Sequence, residues 1–464
     1  MTLPLHIFRE YDIRGIVGQD LTTDLVHGVG RAYGTTLRAA VQVEGEGGRG
    51  DPRIVVGWDN RPSSPELVDA LINGLLSTGV HVLELGVVPT PVTWWAEKVL
   101  DDIQGAIQLT GSHNPPEWNG IKMTRLGRSL YGDGVQELRR TIESGAFAGG
   151  SGEREEHPVL EHYVQDVTAR IQLEGPVKAV VDCGNGTGAV VAQRLLEEVG
   201  VEVIPLYCDS DGTFPNHHPD PTVDENLGDL IELVRSEKAD FGVAFDGDAD
   251  RIGAVDDQGR IIRGDVLLLL YGLDLLDRKG PGQLLLFDVK CSQLLPEVYE
   301  EAGGETLMWM TGHSLMKEKM RETGAPLAGE LSGHICFGGD EYLAIDDALY
   351  DACKLAELVS RAPEPLSRQV DRFPHYVSTP EIRIEVTEES KRRIVRAAVE
   401  HFSRTHEVIE VDGARILFGD GWGLIRSSNT QPVLVARFEA RTPERLEEIQ
   451  SEVQGWLREQ GVDV

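Results

Sequence analysis

Ser112 is the first residue whose type and setting could do chemistry. It stands in the polar run Leu109-Thr110-Gly111-Ser112-His113-Asn114-Pro115-Pro116, directly after the apolar stretch Gly105 to Leu109, which reads as a short strand. The Asn-Pro-Pro sequence keeps the chain out of helix. His113 follows the hydroxyl at once, and Lys122 comes soon after. Serine is a weak nucleophile unless neighbours activate it. For Ser-His alone, an ordinary strand-to-loop turn is the plain alternative.

A second run, Phe245-Asp246-Gly247-Asp248-Ala249-Asp250-Arg251, sets three carboxylates at alternate positions. Such a set presents oxygens to one small hard cation, the ligand class that Mg²⁺ prefers. An EF-hand fails here. With Asp246 as the first position, the sixth holds Arg251 where glycine is required, and the twelfth holds Asp257 instead of glutamate. The flanks, Phe241 to Phe245 and Ile252 to Val255, read as strands. A solvated acidic turn is the bland reading, and mutual repulsion of three acids weighs against it.

A third run, Arg426-Ser427-Ser428-Asn429-Thr430-Gln431-Pro432, precedes a strand at Val433 to Phe438. A guanidinium, two serines, an amide and a threonine make a donor set suited to a phosphate dianion. By itself the run also reads as a hairpin loop. A serine, a metal-type triad and a phosphate-type loop together point to phosphoryl transfer.

The elements that must position these residues form a pattern. Three segments open with an apolar strand ending in a polar turn: Arg53 to Asn60, Lys178 to Asn185, and Gln283 to Lys290. One β-α-β interval later come Val80 to Leu85, Val201 to Leu206, and Glu305 to Met310. A third strand then leads into Thr110 to Pro116, Asp246 to Arg251, or Gly329-Glu330-Leu331-Ser332-Gly333-His334. One α/β module thus occurs three times, with a candidate loop at the same place. Ligands of open α/β sheets gather at the carboxyl ends of strands. From about Asp371 the pattern becomes α+β, with a strand at Glu381 to Val386, a helix at Glu388 to Phe402, two or three strands, and a helix at Pro443 to Arg458.

The run Asn185-Gly186-Thr187-Gly188 has G-x-G-x-G spacing, not that of a dinucleotide fingerprint, and reads as a tight strand-to-helix turn. Ala146 to His157 reads as a flexible linker, and Gly45 to Asp51 as a mobile surface loop. The expected domains are 1–150 with the serine loop, 151–257 with the acidic loop, 258–368 with the Glu330 loop, and 369–464 with the donor loop.

At 464 residues the chain exceeds one core and should divide into roughly three or four domains. It is 41% apolar and 26% charged, an ordinary globular composition. A formal charge of −33, spread along the chain, argues against nucleic acid or an anionic membrane as partner. The five cysteines, Cys183, Cys208, Cys291, Cys336 and Cys353, are scattered and read as reduced thiols of a cytoplasmic protein. No signal peptide or membrane span is expected.

Across its full length the sequence resembles the α-D-phosphohexomutases, most closely the bacterial phosphomannomutase/phosphoglucomutase branch. The resemblance rests on Phe8-Arg9-Glu10-Tyr11-Asp12-Ile13-Arg14-Gly15, the Ser112 loop with Asn119-Gly120-Ile121-Lys122, and Asp246 to Arg251. It continues through Asp288-Val289-Lys290-Cys291, Thr311-Gly312-His313-Ser314, Gly329 to His334, and Arg426 to Pro432. It implies three similar mixed α/β domains plus a C-terminal α+β domain around a central active-site cleft.

The resemblance also implies that Ser112 is a phosphoserine in the resting enzyme. Ser112, Asp246, Asp248 and Asp250 would hold Mg²⁺, and Arg251 would contact the phosphoryl group or sugar. A hexose 1,6-bisphosphate would form, turn around, and return its other phosphate to Ser112. Arg426, Ser428, Asn429 and Thr430 would clamp the phosphate that is not reacting, while Glu330 and Ser332 would bind sugar hydroxyls. Arg14, His113 and Lys122 would lie near the serine, with Lys122 or His334 moving protons. Lys290 and His313 would line the cleft, and Tyr11 would pack against the loop or touch substrate. Small sugar phosphates, with no nucleic acid and no membrane, would be the partners of a monomer or homodimer.

Three rivals remain at this stage. An aspartyl-phosphate phosphatase normally carries its Asp-x-Asp pair after the first strand of its domain, whereas Asp246 lies mid-chain. A non-catalytic sugar-phosphate binder would have lost reacting positions, and none is lost. Phosphoglucosamine mutase is the nearest competitor inside the family, against which Leu331 and the Ser-Ser-Asn-Thr-Gln-Pro loop favour the mannose/glucose branch.

Overall fold

A computed structural model describes residues 3–44, 51–428 and 431–464. Residues 45–50, within the expected surface loop, and Asn429 and Thr430 of the donor run lie outside the described residues. The chain forms two compact units. One comprises Met1–Gly264, Lys317–Pro326 and Ser332–Arg368; the other comprises Asp265–Met316, Leu327–Leu331 and Gln369–Val464. Segment 258–368 therefore contributes to both units.

The first unit contains two sheets with one topology. In the first, Arg53–Trp58 is central, parallel to His81–Val87 on one side and Ala106–Leu109 on the other. Trp118–Arg125 returns antiparallel beside Ala106–Leu109, and Ile13–Ile16 pairs antiparallel with it. In the second, Lys178–Asp182 is central between Glu202–Leu206 and Phe241–Phe245, with Ile252–Asp256 returning antiparallel. The central strands are nearly continuous apolar runs because both faces are covered; all five residues of Phe241–Phe245 are buried. The repeat continues in the other unit, where Leu284–Asp288 lies parallel to both Glu305–Trp309 and Leu327–Gly329. Each candidate loop thus leaves the carboxyl end of the third strand of its module.

Packing around the first sheet depends on two glycines. On helix Thr23–Glu44, a Cβ at Gly30 would lie 2.2 Å from the Leu71 carbonyl oxygen of helix Ser64–Leu76. A Cβ at Gly74 would lie 2.2 Å from the His27 carbonyl oxygen. The two backbones touch directly, above a core that includes Val26, Val29, Tyr33, Leu67 and Leu71.

Two local expectations change. Ala146 to His157 ends in an edge strand, Arg154–Glu156, parallel to His81–Val87 and held by Arg154 hydrogen-bonded to Glu84 and Asp69. The glycine-rich half disguised that strand. In the C-terminal region four strands follow the helix Glu388–Phe402, namely Glu407–Ile409, Ala414–Leu417, Gly421–Ser427 and Val433–Ala440. The first two are too short for a clear alternation. With Val377–Ser378 and Ile382–Glu385 they form an antiparallel sheet, packed with Glu388–Phe402 and Pro443–Glu459 around Ile394, Phe402, Phe438 and Trp456. The expected turn at Asn185 to Gly188 is present and leads into a 3₁₀ turn at Thr187–Val190.

Asp347 caps the buried helix Ala348–Arg361, accepting hydrogen bonds from the Tyr350 N–H and from the hydroxyls of Tyr163 and Tyr342. Burial outweighs these donors and pushes its carboxyl up to about 6. A raised folded-state value means that its stabilising contribution is full in acid and is lost as pH rises through that value. The melting temperature of the native chain, minus that of Asp347→Asn, should therefore fall between about pH 4 and about pH 7. Thermal melts of both proteins across that range test this, and a flat difference contradicts it.

Candidate active site

In the first unit the serine loop and the acidic loop meet. Ser112 has φ +50°, a left-handed conformation uncommon outside glycine, which turns its buried hydroxyl toward the neighbouring module. Its Oγ donates to Asp246 Oδ2 at 2.9 Å and lies 3.0 Å from His113 Nδ1. The loops approach this closely because residue 247 is glycine: a Cβ there would sit 2.3 Å from the Ser112 carbonyl oxygen.

A guanidinium fixes the serine loop. Arg61 Nη2 donates to the carbonyls of Ser112 (2.8 Å) and Asn114 (2.6 Å), and Nη1 to those of Trp118 (3.0 Å) and Pro115. Its Nε pairs with Asp59 Oδ2 at 2.9 Å, and that same oxygen accepts the Gly111 N–H. Both side chains are buried. Neither was expected as a site residue, although the polar turn after Arg53–Trp58 carried the signal. A carbonyl-gathering role cannot be read from residue type alone.

Asp246, Asp248 and Asp250 are all fully buried. Asp246 Oδ1 accepts the N–H groups of Asp250 and Arg251, closing the loop on itself. Lys122, on Trp118–Arg125, donates from Nζ to Asp248 Oδ2 at 2.7 Å and to Asp250 Oδ2 at 2.5 Å. Burial opposes charge on Lys122, but the two carboxylates outweigh it and hold the ammonium above its ordinary range. Burial and Asp250 likewise oppose ionisation of Asp248, and Lys122 with Thr90 overcomes them. Asp246 has no such lysine contact; burial and its two acidic neighbours push it well above the usual carboxylate range.

Thr90 is a second unforeseen residue. At the start of helix Thr90–Val99, its hydroxyl donates to Asp248 Oδ2 and its N–H to the Asp248 carbonyl. The other oxygen, Asp248 Oδ1, is buried with no hydrogen-bond partner among the described residues. One oxygen from each of the three aspartates lies within 4.8 Å of the others. An all-oxygen anionic set with a carboxylate oxygen left unbonded fits a small hard cation.

His113 is held well below its ordinary range by burial and by the charges of Arg251 and Arg14, so the ring is neutral near pH 7. Arg14, on Ile13–Ile16 beside Lys122's strand, pairs with Asp12 at 2.6 Å. Tyr11, half-buried, lies just upstream of that strand. Arg251 Nε donates to His334 Nε2 at 2.9 Å, which places the ring proton on Nδ1, 3.4 Å from Asp346. The Gly333 carbonyl next to Ser332 accepts the Ile252 N–H, fastening this loop to the acidic one. Thus Arg14, Ser112, His113, Lys122, the three aspartates, Arg251 and His334 gather in one unit.

The second unit holds Lys290, His313, Glu330, Arg426 and Ser428. Lys290 pairs with Glu381 at 2.8 Å and holds that carboxyl down at about 2. Glu330 accepts the Gly312 N–H at 2.8 Å, beside His313 at the start of helix His313–Thr323. Arg426 belongs to the strand Gly421–Ser427 rather than to a loop, and its Nε pairs with Asp412 at 2.9 Å. Asp412 also accepts the Thr311 N–H, which ties Arg426 to the segment before His313. Lys391, not foreseen, donates to the carbonyls of Ser428 and Gln431 on either side of Asn429 and Thr430.

Comparison with known proteins gives full-length matches. Family models described as phosphoglucomutase/phosphomannomutase alpha/beta/alpha domains I, II and III match residues 5–148, 161–259 and 263–376, and the C-terminal domain model matches 381–455. A Pseudomonas aeruginosa protein named phosphomannomutase/phosphoglucomutase is 46% identical, covering 98% of this chain and 96% of its own. A Neisseria meningitidis phosphoglucomutase is 42% identical over 96% of this chain and 95% of its own. The crystal structure of a phosphoglucomutase/phosphomannomutase family protein from Burkholderia thailandensis superposes with a TM-score of 0.92 at 42% identity, covering 100% of this chain and 99% of that one.

The Arg61 cage predicts a local failure. Lysine keeps the charge but lacks the planar fork, so Arg61→Lys should leave two or more of the four carbonyls unsatisfied. Each buried unsatisfied group costs about 1–3 kcal/mol. Amide hydrogen exchange and proteolysis across Gly111 to Trp118 should accelerate well before the rest of the unit loosens. Exchange identical to the native chain in that stretch contradicts the cage.

Proposed function

The chain belongs to the phosphoglucomutase/phosphomannomutase family, and from that premise we propose that it interconverts hexose 1-phosphates and hexose 6-phosphates of mannose, glucose or both. The reaction would run through a phosphoserine at Ser112 and a hexose 1,6-bisphosphate. The observation that carries this reading is the Ser112 hydroxyl bonded to Asp246 at the edge of a buried triad of carboxylates. The names of the relatives, phosphomannomutase/phosphoglucomutase and phosphoglucomutase, support the choice of sugars. The four family matches support domains at 1–150, 151–257, 258–368 and 369–464.

Asp246, Asp248 and Asp250, with an oxygen on Ser112, would hold Mg²⁺, which supplies charge neutralisation at the transferring phosphoryl group. The remaining work falls to side chains. Arg61 and Asp59 hold the serine loop. Neutral His113 hydrogen-bonds the serine oxygen without adding charge. Lys122, kept protonated by Asp248 and Asp250, is suited to donating a proton or offsetting charge and not to acting as a base at neutral pH. His334, whose Nε2 accepts from Arg251 and whose Nδ1 lies 3.4 Å from Asp346, is the other proton-transfer candidate. Arg14 and Arg251 would supply positive charge beside the reacting group, with Tyr11 just upstream of the strand that carries Arg14.

Transfer from phosphoserine breaks its P–O bond and forms one to the free hydroxyl of the sugar monophosphate. The bisphosphate then turns, and its other phosphate returns to Ser112. Arg426, Ser428, Asn429 and Thr430 would grip the phosphate that is not reacting, with Lys290, His313, Glu330 and Ser332 binding the sugar. No described helix is long and apolar enough to cross a membrane. The charge of −33 disfavours nucleic acid and anionic membrane as partners, and the proposed protein is a cytoplasmic monomer or homodimer acting on small sugar phosphates.

Ser112→Ala should lower kcat on the order of a hundredfold or more, since the covalent route needs that oxygen. Phosphopeptide mapping of the native chain after exposure to glucose 1,6-bisphosphate should find acid-stable phosphate on Ser112. An acid-labile acyl phosphate on Asp246 would support the phosphatase reading instead. Comparing kcat/KM for mannose 1-phosphate, glucose 1-phosphate and glucosamine 1-phosphate fixes the sugar, and preference for the last overturns the mannose/glucose assignment.

Arg426→Ala tests the distal clamp. A charge-assisted hydrogen bond is worth roughly 1.5–3 kcal/mol, on the order of ten- to a hundredfold in affinity. KM should rise by that factor and more bisphosphate should escape before turning, with added glucose 1,6-bisphosphate restoring part of the rate. Unchanged KM with no escaping intermediate contradicts the clamp.

A further inference from the structure

Cys183 and Cys208 lie 25 positions apart in sequence, yet their sulfurs are 3.0 Å apart. The module topology brings them together. Lys178–Asp182 and Glu202–Leu206 are parallel neighbours in register up to Asp182 opposite Leu206, and each cysteine falls just past the end of its strand. The Cys183 N–H donates to the Leu206 carbonyl at 3.1 Å and the Asn185 N–H to the Tyr207 carbonyl at 2.9 Å, so pairing continues past the strand ends. Cys183 is buried and Cys208 half-buried. Cys208 is therefore the more accessible residue of the pair.

We propose that Cys183 and Cys208 form a dithiol that peroxides close reversibly to a disulfide, a modification site directly behind the acidic loop. The Cys208 thiolate attacks one peroxide oxygen. An S–O bond forms, the O–O bond breaks, and the departing oxygen takes a proton to leave as water. The Cys183 sulfur then attacks Cys208. The S–S bond forms, the S–O bond breaks, and the hydroxide leaves with the Cys183 proton as a second water. Two thiols lose two electrons and one hydrogen peroxide gains them. The sulfurs need only close from 3.0 Å to about 2.05 Å. Cys208, less buried than Cys183, is the sulfur that a peroxide reaches first.

The position gives closure a consequence. The Cys183 carbonyl accepts the Gly186 N–H at 2.8 Å, and the next N–H, of Thr187, donates to the Gly247 carbonyl at 2.9 Å. There is no slack in that contact, since a Cβ at Gly186 would lie 2.8 Å from the Gly247 oxygen. Movement of Cys183 is transmitted through one tight turn to the residue between Asp246 and Asp248.

The test treats the full-length chain with hydrogen peroxide, traps free thiols by alkylation in denaturant, and maps peptides. A Cys183–Cys208 cross-linked peptide is expected, removable by dithiothreitol and absent from Cys208→Ser. Hydrogen exchange at Thr187 should speed up on oxidation, a readout independent of catalysis. Hexose phosphate turnover should fall severalfold and recover with dithiothreitol, while Cys208→Ser keeps both its basal rate and its exchange pattern. Conversion of Cys208 to sulfinic acid with Cys183 left as a thiol overturns the dithiol. A cross-link that leaves Thr187 exchange unchanged overturns the coupling. A cross-link and exchange change in a chain with no mutase activity would count against the mutase reading and not against this site.

Discussion

Three aspartate side chains with no solvent exposure, crowded within reach of one another, are the constraint to which the first unit is organised. Burial of one unpaired carboxylate is costly, and clustering multiplies the cost. The fold answers with one ammonium shared by Asp248 and Asp250, a threonine hydroxyl on Asp248, and backbone N–H groups with a serine hydroxyl on Asp246. These partners come from different elements of two modules, so satisfying the acids is also what docks one module on the other. The same contacts leave one carboxylate oxygen unbonded. The contacts that hold the two loops together and the oxygen left open to a cation thus arise from one electrostatic problem.

Module topology makes that solution available. In each repeat the third strand delivers its loop at the carboxyl edge of the sheet, and in the first two the following strand returns antiparallel beside it. Lys122 rides on that returning strand, which is why a residue after the serine loop reaches acids far along the chain. Backbone approach matters as much as side-chain choice. Gly247 permits contact with the Ser112 carbonyl, and Arg61 absorbs the carbonyls that the irregular serine loop cannot pair internally.

Much of this was legible in the sequence, for identifiable reasons. The strands Arg53–Trp58, Lys178–Asp182 and Leu284–Asp288 are apolar runs bounded by polar turns, and the repeat exposed their order. Ser112 and the aspartates stood out because their residue types and spacing suit phosphoryl transfer and cation binding. Arg61, Thr90 and Lys391 did not, because they act on carbonyls or on other side chains, and such partners are set by tertiary geometry alone. Arg154–Glu156 escaped because a short charged edge strand has neither apolar period nor length. The cysteine pair escaped because spacing rules look along the chain, whereas these sulfurs meet across parallel strands. Arg426 was legible as a donor, but its place on a strand and its bond to Asp412 were not.

The left-handed backbone at Ser112 bears on which amino acids evolution could place there. Threonine carries a hydroxyl that can also serve as an oxygen nucleophile. Its branched Cβ, however, makes a φ of this sign a genuine outlier. The torsion angle at residue 112 thus favours serine over threonine whatever the relative reactivity of the two alcohols. The shape of the turn that delivers this hydroxyl by itself narrows the choice of alcohol to one.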